Sequence, residues 1–273
     1  MSAGNQVDGM VVLINGGTQG LGEAVARRCA GQGAAGLVLV GRSVERGQAL
    51  AAELSDSGTS TLFVAADMSD PGSCGRVMSA ATERFDVVHG LVNVAASTAR
   101  GNVFDTSVDG WDDMMAINVR APFQFTQAVA TLLRDRDMSG AIVNVGSVSG
   151  HGGQPFLMAY CVSKGALATM TKNSAFALMR HNVRVNQVNP GWMDTESEDA
   201  VQRKWHDADH TWLGKAEAGQ PMGRLVKPEE VARMIVFLLS PESGLTTGTV
   251  IDFDQSVQGA GDAPKPSLEE TPK

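Results

Sequence analysis

An apolar run that ends in closely spaced glycines constrains this chain more than any other feature. Residues 9–22 read Gly-Met-Val-Val-Leu-Ile-Asn-Gly-Gly-Thr-Gln-Gly-Leu-Gly and continue as Glu23-Ala24-Val25-Ala26-Arg27-Arg28-Cys29-Ala30. The run has strand length and the continuation is helical, so the segment predicts strand, tight turn and helix. Gly16, Gly20 and Gly22 let the backbone approach a ligand closely, and the free N–H groups opening the helix face negative charge. A glycine triplet alone is weak. Between a strand and a helix it points to the pyrophosphate of a dinucleotide, with a ligand-free glycine turn as the alternative.

Strand-like runs recur at residues 11–14, 37–40, 62–65, 87–92, 141–145, 183–188 and 250–253, alternating with helical stretches. This is the pattern of an α/β fold, a parallel sheet covered by helices on both faces. With 273 residues and 43% hydrophobic content, one large domain is expected over residues 1–257, followed by a flexible Pro- and Gly-rich tail at 258–273. No segment is apolar for the roughly 20 residues of a membrane span. The N-terminus lacks the basic and apolar regions of a signal peptide, so a cytoplasmic location is expected. A net charge of -8 argues against a nucleic-acid partner. Cys29, Cys74 and Cys161 form no Cys-x-x-Cys pair and read as reduced thiols, Cys161 as a small helix residue beside Tyr160. His206 and His210 are four apart without a third ligand, so no metal site is expected.

The chemistry concentrates at Tyr160-Cys161-Val162-Ser163-Lys164, thirteen residues after Ser147. Four residues apart on a helix, Lys164 and Tyr160 are neighbours, and an ammonium there favours the phenolate of a group that otherwise titrates near pH ~10. Ser147 adds a hydroxyl to hold a substrate oxygen. An ordinary solvated helix face could carry the same spacing, and the other motifs decide between the two.

Taken together, Gly16-x-x-x-Gly20-x-Gly22, Ser147 and Tyr160-x-x-x-Lys164 resemble the short-chain dehydrogenase/reductase family over about residues 10–256. The resemblance implies a single-domain Rossmann-like doubly wound sheet and a catalytic set of Asn118, Ser147, Tyr160 and Lys164, with Asn118 helping to hold the lysine and a water chain. It implies a nicotinamide dinucleotide against Gly16, Thr18, Gln19, Gly20, Leu21 and Gly22, with further contacts from Asp67, Met68, Asn93, Ala95, Tyr160, Lys164, Pro190, Gly191, Met193 and Thr195. At the end of the second strand Gly41 offers no carboxylate for a ribose 2′-hydroxyl, while Arg42 and Ser43 suit a 2′-phosphate, so NADP is favoured over NAD. Three departures stand out. Asn15 replaces the usual threonine and is expected to keep a side-chain hydrogen bond. Val94 and Ala96 alter the motif after the fourth strand, and Asp254-Gln255-Ser256 alters a turn near the C-terminus.

The reaction implied is interconversion of a secondary alcohol and a carbonyl by hydride transfer. Candidate substrate contacts are Ser147, His151, Gln154, Tyr160 and Trp192, with residues 97–102 and a lid at about 192–222 as walls. In the lid, Trp192, Trp205, His206, His210 and Trp212 suit a sugar or polyol, though they could equally be lid packing or a subunit contact. A 3-oxoacyl-thioester reductase, a steroid or other hydrophobic-alcohol dehydrogenase, and a catalytically idle cofactor-sensing scaffold are the alternatives. The resemblance also implies a homo-oligomer, a tetramer, associating through the helices that carry Asn118 and Tyr160.

Overall fold

The computed structural model describes residues 5–258, so residues 259–273 of the expected tail and residues 1–4 lie outside it. The strands are β1 (Val11–Asn15), β2 (Gly36–Gly41), β3 (Ser60–Ala65), β4 (Gly90–Asn93), β5 (Gly140–Val145), β6 (Val183–Pro190) and β7 (Val250–Phe253). They form one parallel sheet in the order β3-β2-β1-β4-β5-β6-β7. The helices are α1 (Gly20–Ala30), α2 (Val44–Asp56), α3 (Ser73–Phe85), α4 (Val108–Met115), α5 (Ala121–Asp135), α6 (Met158–Leu178), α7 (Glu196–Trp205), α8 (Trp212–Ala218) and α9 (Pro228–Leu239). No helix among the described residues is long and apolar enough to cross a membrane.

Burial on both faces explains why the central strands read as continuous apolar runs. On one face Val25 and Cys29 of α1 and Val231 and Ile235 of α9 pack with Ile14, Leu37 and Val143. On the other, Val77 of α3, Phe125 of α5 and Ala175 of α6 pack with Leu13, Val38, Leu91 and Ile142. Burial pushes the Cys29 thiol up to about 12 and Cys74 up to about 11, as suits packing residues.

The fourth strand begins later than its apolar run predicts. Asp86 takes a φ of 67° and the Val87 N–H donates to the Phe85 carbonyl, so the chain is still turning out of α3. Pairing with β1 starts at Gly90 opposite Val12. The winding reverses between β1 and β4, and at such a switch point the loops beyond the strand ends part into a crevice.

Candidate active site

The glycine loop closes that crevice from one side. Gly16 has a φ of +90°, and a Cβ there would collide with the Ala95 backbone, while a Cβ on Gly22 would strike the Gly16 carbonyl. The Gly16 and Gly17 N–H groups donate to the Val40 carbonyl at 2.9 and 3.0 Å, which holds the loop against the sheet. Beyond it opens a cleft of about 980 Å³. One end is lined by Gly16, Thr18, Gln19, Gly20, Leu21, Arg42, Ser43, Asp67, Met68 and Ala95, the other by Ser147, Gln154, Tyr160, Lys164, Pro190, Gly191, Trp192, Met193 and Thr195. A loop whose Gly16 and Gly22 leave no room for a Cβ, followed by a helix N-terminus and an exposed arginine, fits a dinucleotide pyrophosphate and its adenosine end. A Cβ at Gly41 would lie 2.6 Å from Thr18 Oγ1, so a carboxylate-bearing residue there would require the Thr18 side chain to shift. Asp67 accepts from the Ser69 N–H and hydroxyl, both at 2.9 Å, and these bonds hold its carboxyl below the usual range.

Four expected residues do not line the cleft. Gly22 packs beneath Gly16. Asn93 is buried and donates to Asn144 Oδ1 at 2.9 Å, the first step of a polar chain through Thr171, Gln187 and Asn189 to Asp252. His151 turns outward, its Nε2 lying 2.9 Å from Asp252 Oδ1 at the far end of that chain. Asn118 sits on a π-type turn, Ala116–Arg120, between α4 and α5. Its amide donates to the Ser97 carbonyl and the Ser163 hydroxyl, both at 3.0 Å, and its Oδ1 accepts from the Ser97 N–H at 2.7 Å. Asn118 therefore ties the loop after β4 to α6, and Lys164 is not among its side-chain partners.

At the reactive centre, Lys164 Nζ donates to the Val145 carbonyl at 2.8 Å and lies 5.6 Å from the Tyr160 ring centroid. Burial dominates both groups. It raises Tyr160 above the usual phenol value, opposed by the Ser147 hydroxyl and the Arg100 charge, and it lowers Lys164 to about 8. The protein groups alone thus leave Tyr160 protonated at neutral pH. The expectation of a phenol pulled down by Lys164 is corrected accordingly: the lysine is itself desolvated, and a desolvated ammonium readily gives up its charge.

The lid expected at 192–222 contains α7 and α8. Trp192 Nε1 donates to Glu198 at 2.8 Å and its ring stacks on buried Trp212, centroids 6.2 Å apart. His206 reaches the cleft, whereas Trp205 and His210 do not line it. The lid is fastened across the glycine loop: Gln19 donates to Ser197 Oγ at 3.0 Å, and Arg46 of α2 pairs with Glu196 at 2.8 Å. Ser43 caps α2, accepting from the Arg46 N–H at 3.4 Å, and Thr195 caps α7, accepting from the Glu198 N–H at 3.1 Å. Cys161 is half-buried, and burial pushes its thiol up.

Sequence reasoning gave no site role to Arg46, Glu198 or Gln202, it marked Asp254 and Ser256 only as part of an altered turn, and it included Arg100 only within the expected wall at residues 97–102. The altered C-terminal turn is an Asx turn, in which Asp254 accepts from the Ser256 N–H at 3.2 Å. Its Gln255 side chain accepts from the Met222 N–H at 2.8 Å and donates to the Arg224 carbonyl at 2.6 Å, tying the end of the lid. Asn15 departs from its expectation: both of its side-chain polar atoms are buried without a partner among the described residues, as is Asn93 Oδ1.

A family profile described as enoyl-(acyl carrier protein) reductase matches residues 16–257. The chain is 29% identical to a sorbitol dehydrogenase of Cereibacter sphaeroides, covering 91% of this chain and 97% of that one. It is 30% identical to an NADP-dependent (R)-specific alcohol dehydrogenase of Lentilactobacillus kefiri, covering 93% and 99%. Among solved structures, L-sorbose reductase from Gluconobacter frateurii, complexed with NADPH and L-sorbose, superposes with a TM-score of 0.88 at 26% identity, over 95% of this chain and 100% of that one.

Proposed function

The chain belongs to the short-chain dehydrogenase/reductase family and is an oxidoreductase acting on CH–OH groups; from that premise, we propose that it interconverts a secondary alcohol and a ketone of a sugar or polyol, using NADP in preference to NAD, at Ser147, Tyr160 and Lys164. The observation that carries the reading is the convergence of those three side chains on one cleft, beside a glycine loop in which Gly16 and Gly22 leave no room for a Cβ.

A bound nicotinamide supplies or accepts the hydride at the reacting carbon. In reduction, the protonated Tyr160 gives its phenolic proton to the carbonyl oxygen; in oxidation, the phenolate takes the hydroxyl proton back. The Ser147 hydroxyl holds that oxygen close to Tyr160. The Val145 carbonyl fixes Lys164 beside the phenol, where its ammonium offsets the negative charge left on Tyr160 once the proton has moved to the substrate oxygen. Asn118 keeps the loop at Ser97 against α6, so the wall and the acid move together. Gln154, Glu198, Gln202 and His206 give the substrate end polar edges, and Trp192 gives it a flat apolar face, a mixture suited to a polyhydroxylated chain and poorly suited to a steroid. The names of the similar sorbitol dehydrogenase and L-sorbose reductase support the same class.

The test is Tyr160→Phe, assayed on a panel of sugars, polyols, 3-oxoacyl thioesters and steroids with both cofactors. The expected outcome is a kcat reduced by more than ~10²-fold on the best substrate with cofactor affinity nearly unchanged. A variant retaining most of its kcat, or a wild type preferring a steroid to every sugar, overturns the reading.

A further inference from the structure

One wall of the substrate end carries polar groups that nothing in the fold satisfies. Arg100 Nη1 donates to the Thr98 carbonyl at 2.9 Å, while Nε is buried and has no acceptor among the described residues. In the same cleft, Gln154 Oε1 is buried without a donor among the described residues. The backbone on either side of Arg100 is held in place. The Arg100 segment is stitched at one end by Ser97 to Asn118, and at the other by Gly101, whose N–H donates to the Phe156 carbonyl and whose carbonyl accepts from the Met158 N–H, both at 3.0 Å. These bonds set Arg100 against the first turn of α6, the turn that carries Tyr160, near enough for the two groups to feel each other's charge.

The chemistry of the two orphaned groups is complementary to one kind of ligand. With Nη1 occupied by Thr98, the Nε edge of the guanidinium is the edge left for a ligand, and that edge presents paired donors in the geometry of a carboxylate. A partly buried cation calls for an opposite charge, and no carboxylate among the described residues pairs with Arg100. The acid on the facing wall, Glu198, already accepts from Trp192 Nε1 and Gln202 Nε2. Gln154 Oε1 needs a donor, which a carboxylate cannot supply and a hydroxyl can.

We propose that Arg100 and Gln154 form a subsite for a carboxylate and a neighbouring hydroxyl, so that the substrate is a polyhydroxylated acid, a sugar acid of aldonic type, rather than a neutral polyol. This rests on the alcohol–carbonyl reading above and narrows it. Arg100 takes the carboxylate at one wall, Glu198 on α7 repels it from the other, and the acid is thereby oriented with one of its hydroxyl carbons at Ser147 and Tyr160.

Two measurements test the assignment. In the first, kcat/KM is compared for an aldonic acid and the alditol of the same carbon number, in wild type, Arg100→Gln, Arg100→Lys and Gln154→Leu. The wild type is expected to favour the acid, Arg100→Gln to reduce the acid-to-alditol ratio by on the order of 30-fold or more, mainly through KM, and Arg100→Lys to restore part of it. A wild type that favours the alditol, or a ratio unmoved by Arg100→Gln, overturns the subsite. In the second, calorimetry follows binding of the same acid to Tyr160→Phe loaded with cofactor, with and without Arg100→Gln. Binding that depends on Arg100 upholds the subsite even where no turnover is found, an outcome that counts against the proposed reaction alone. Absence of acid binding in Tyr160→Phe overturns the subsite while leaving the reaction class standing.

Discussion

Lys164 Nζ donates to the Val145 carbonyl, 2.8 Å away, and stands over the Tyr160 ring 5.6 Å from its centroid. The lysine is thus anchored to the end of β5, one strand residue from the Gly146-Ser147 step, and the strand rather than the helix fixes its height in the cleft. Because its pKa is lowered to about 8, the buried ammonium opposes folding wherever it is charged.

A pH-dependent stability difference follows. Between pH 8 and the ordinary lysine value of 10.5, the unfolded chain binds more protons at this site than the folded one, so this contribution to stability rises with pH. It is lost again as pH falls through 8. The displacement corresponds to roughly 3 kcal/mol. Lys164→Met removes the term, and the comparison is kept below about pH 10, where Tyr160, raised by burial, stays protonated in both folded proteins. In urea unfolding, the wild type should therefore gain on Lys164→Met between neutral pH and about pH 10, while the variant is inactive throughout. A wild type that lost ground over that range would contradict the account.

Arg42 is exposed at the end of β2, and the neighbouring Arg46 is already paired with Glu196. On the proposed preference for NADP, Arg42 is the cation that would meet the ribose 2′-phosphate. Arg42→Ala is expected to lower kcat/KM for NADP relative to NAD by roughly tenfold or more. Steady-state kinetics with both cofactors decide it, and an unchanged ratio would mean that Arg42 does not read the phosphate.

Association should occur through α5 and α6. Phe123 is 49% exposed, Phe176 77% and Met179 48%, side chains that burial against a second copy would remove from water. Light scattering at micromolar concentration is expected to give a multiple of 28.6 kDa, four copies by the family resemblance, and Phe176→Glu to shift it toward one. A wild-type mass of 28.6 kDa would refute the assembly.

What the sequence determined by itself is what depends on neighbours along the chain. The positions where a Cβ cannot fit, Gly16 and Gly22, were visible because a tight strand-to-helix turn needs bare backbone. The seven strands were visible because burial on both faces makes each a short apolar run, and Tyr160 and Lys164 were visible because four residues make about one helical turn. Even β4 was misjudged only at its start, where the turn out of α3 at Asp86 carries no strand or helix period.

Tertiary structure decided the partners of polar side chains, which lie far apart in sequence and are chosen by how whole elements pack. His151 follows Ser147 closely in the chain yet faces Asp252, because β7 docks beside β6 and offers the end of a buried polar chain. Asn93 turns from the cleft because Asn144 stands level with it on β5. Arg46 and Glu196 meet across the glycine loop only because α7 folds back over it. Arg100 becomes more than a lone surface charge only when Gly101 bridges to Leu157 and draws it to Tyr160. Backbone geometry and hydrophobic period are local properties and can be read residue by residue. A buried donor or acceptor is satisfied by whatever packing brings beside it, and no local pattern records that.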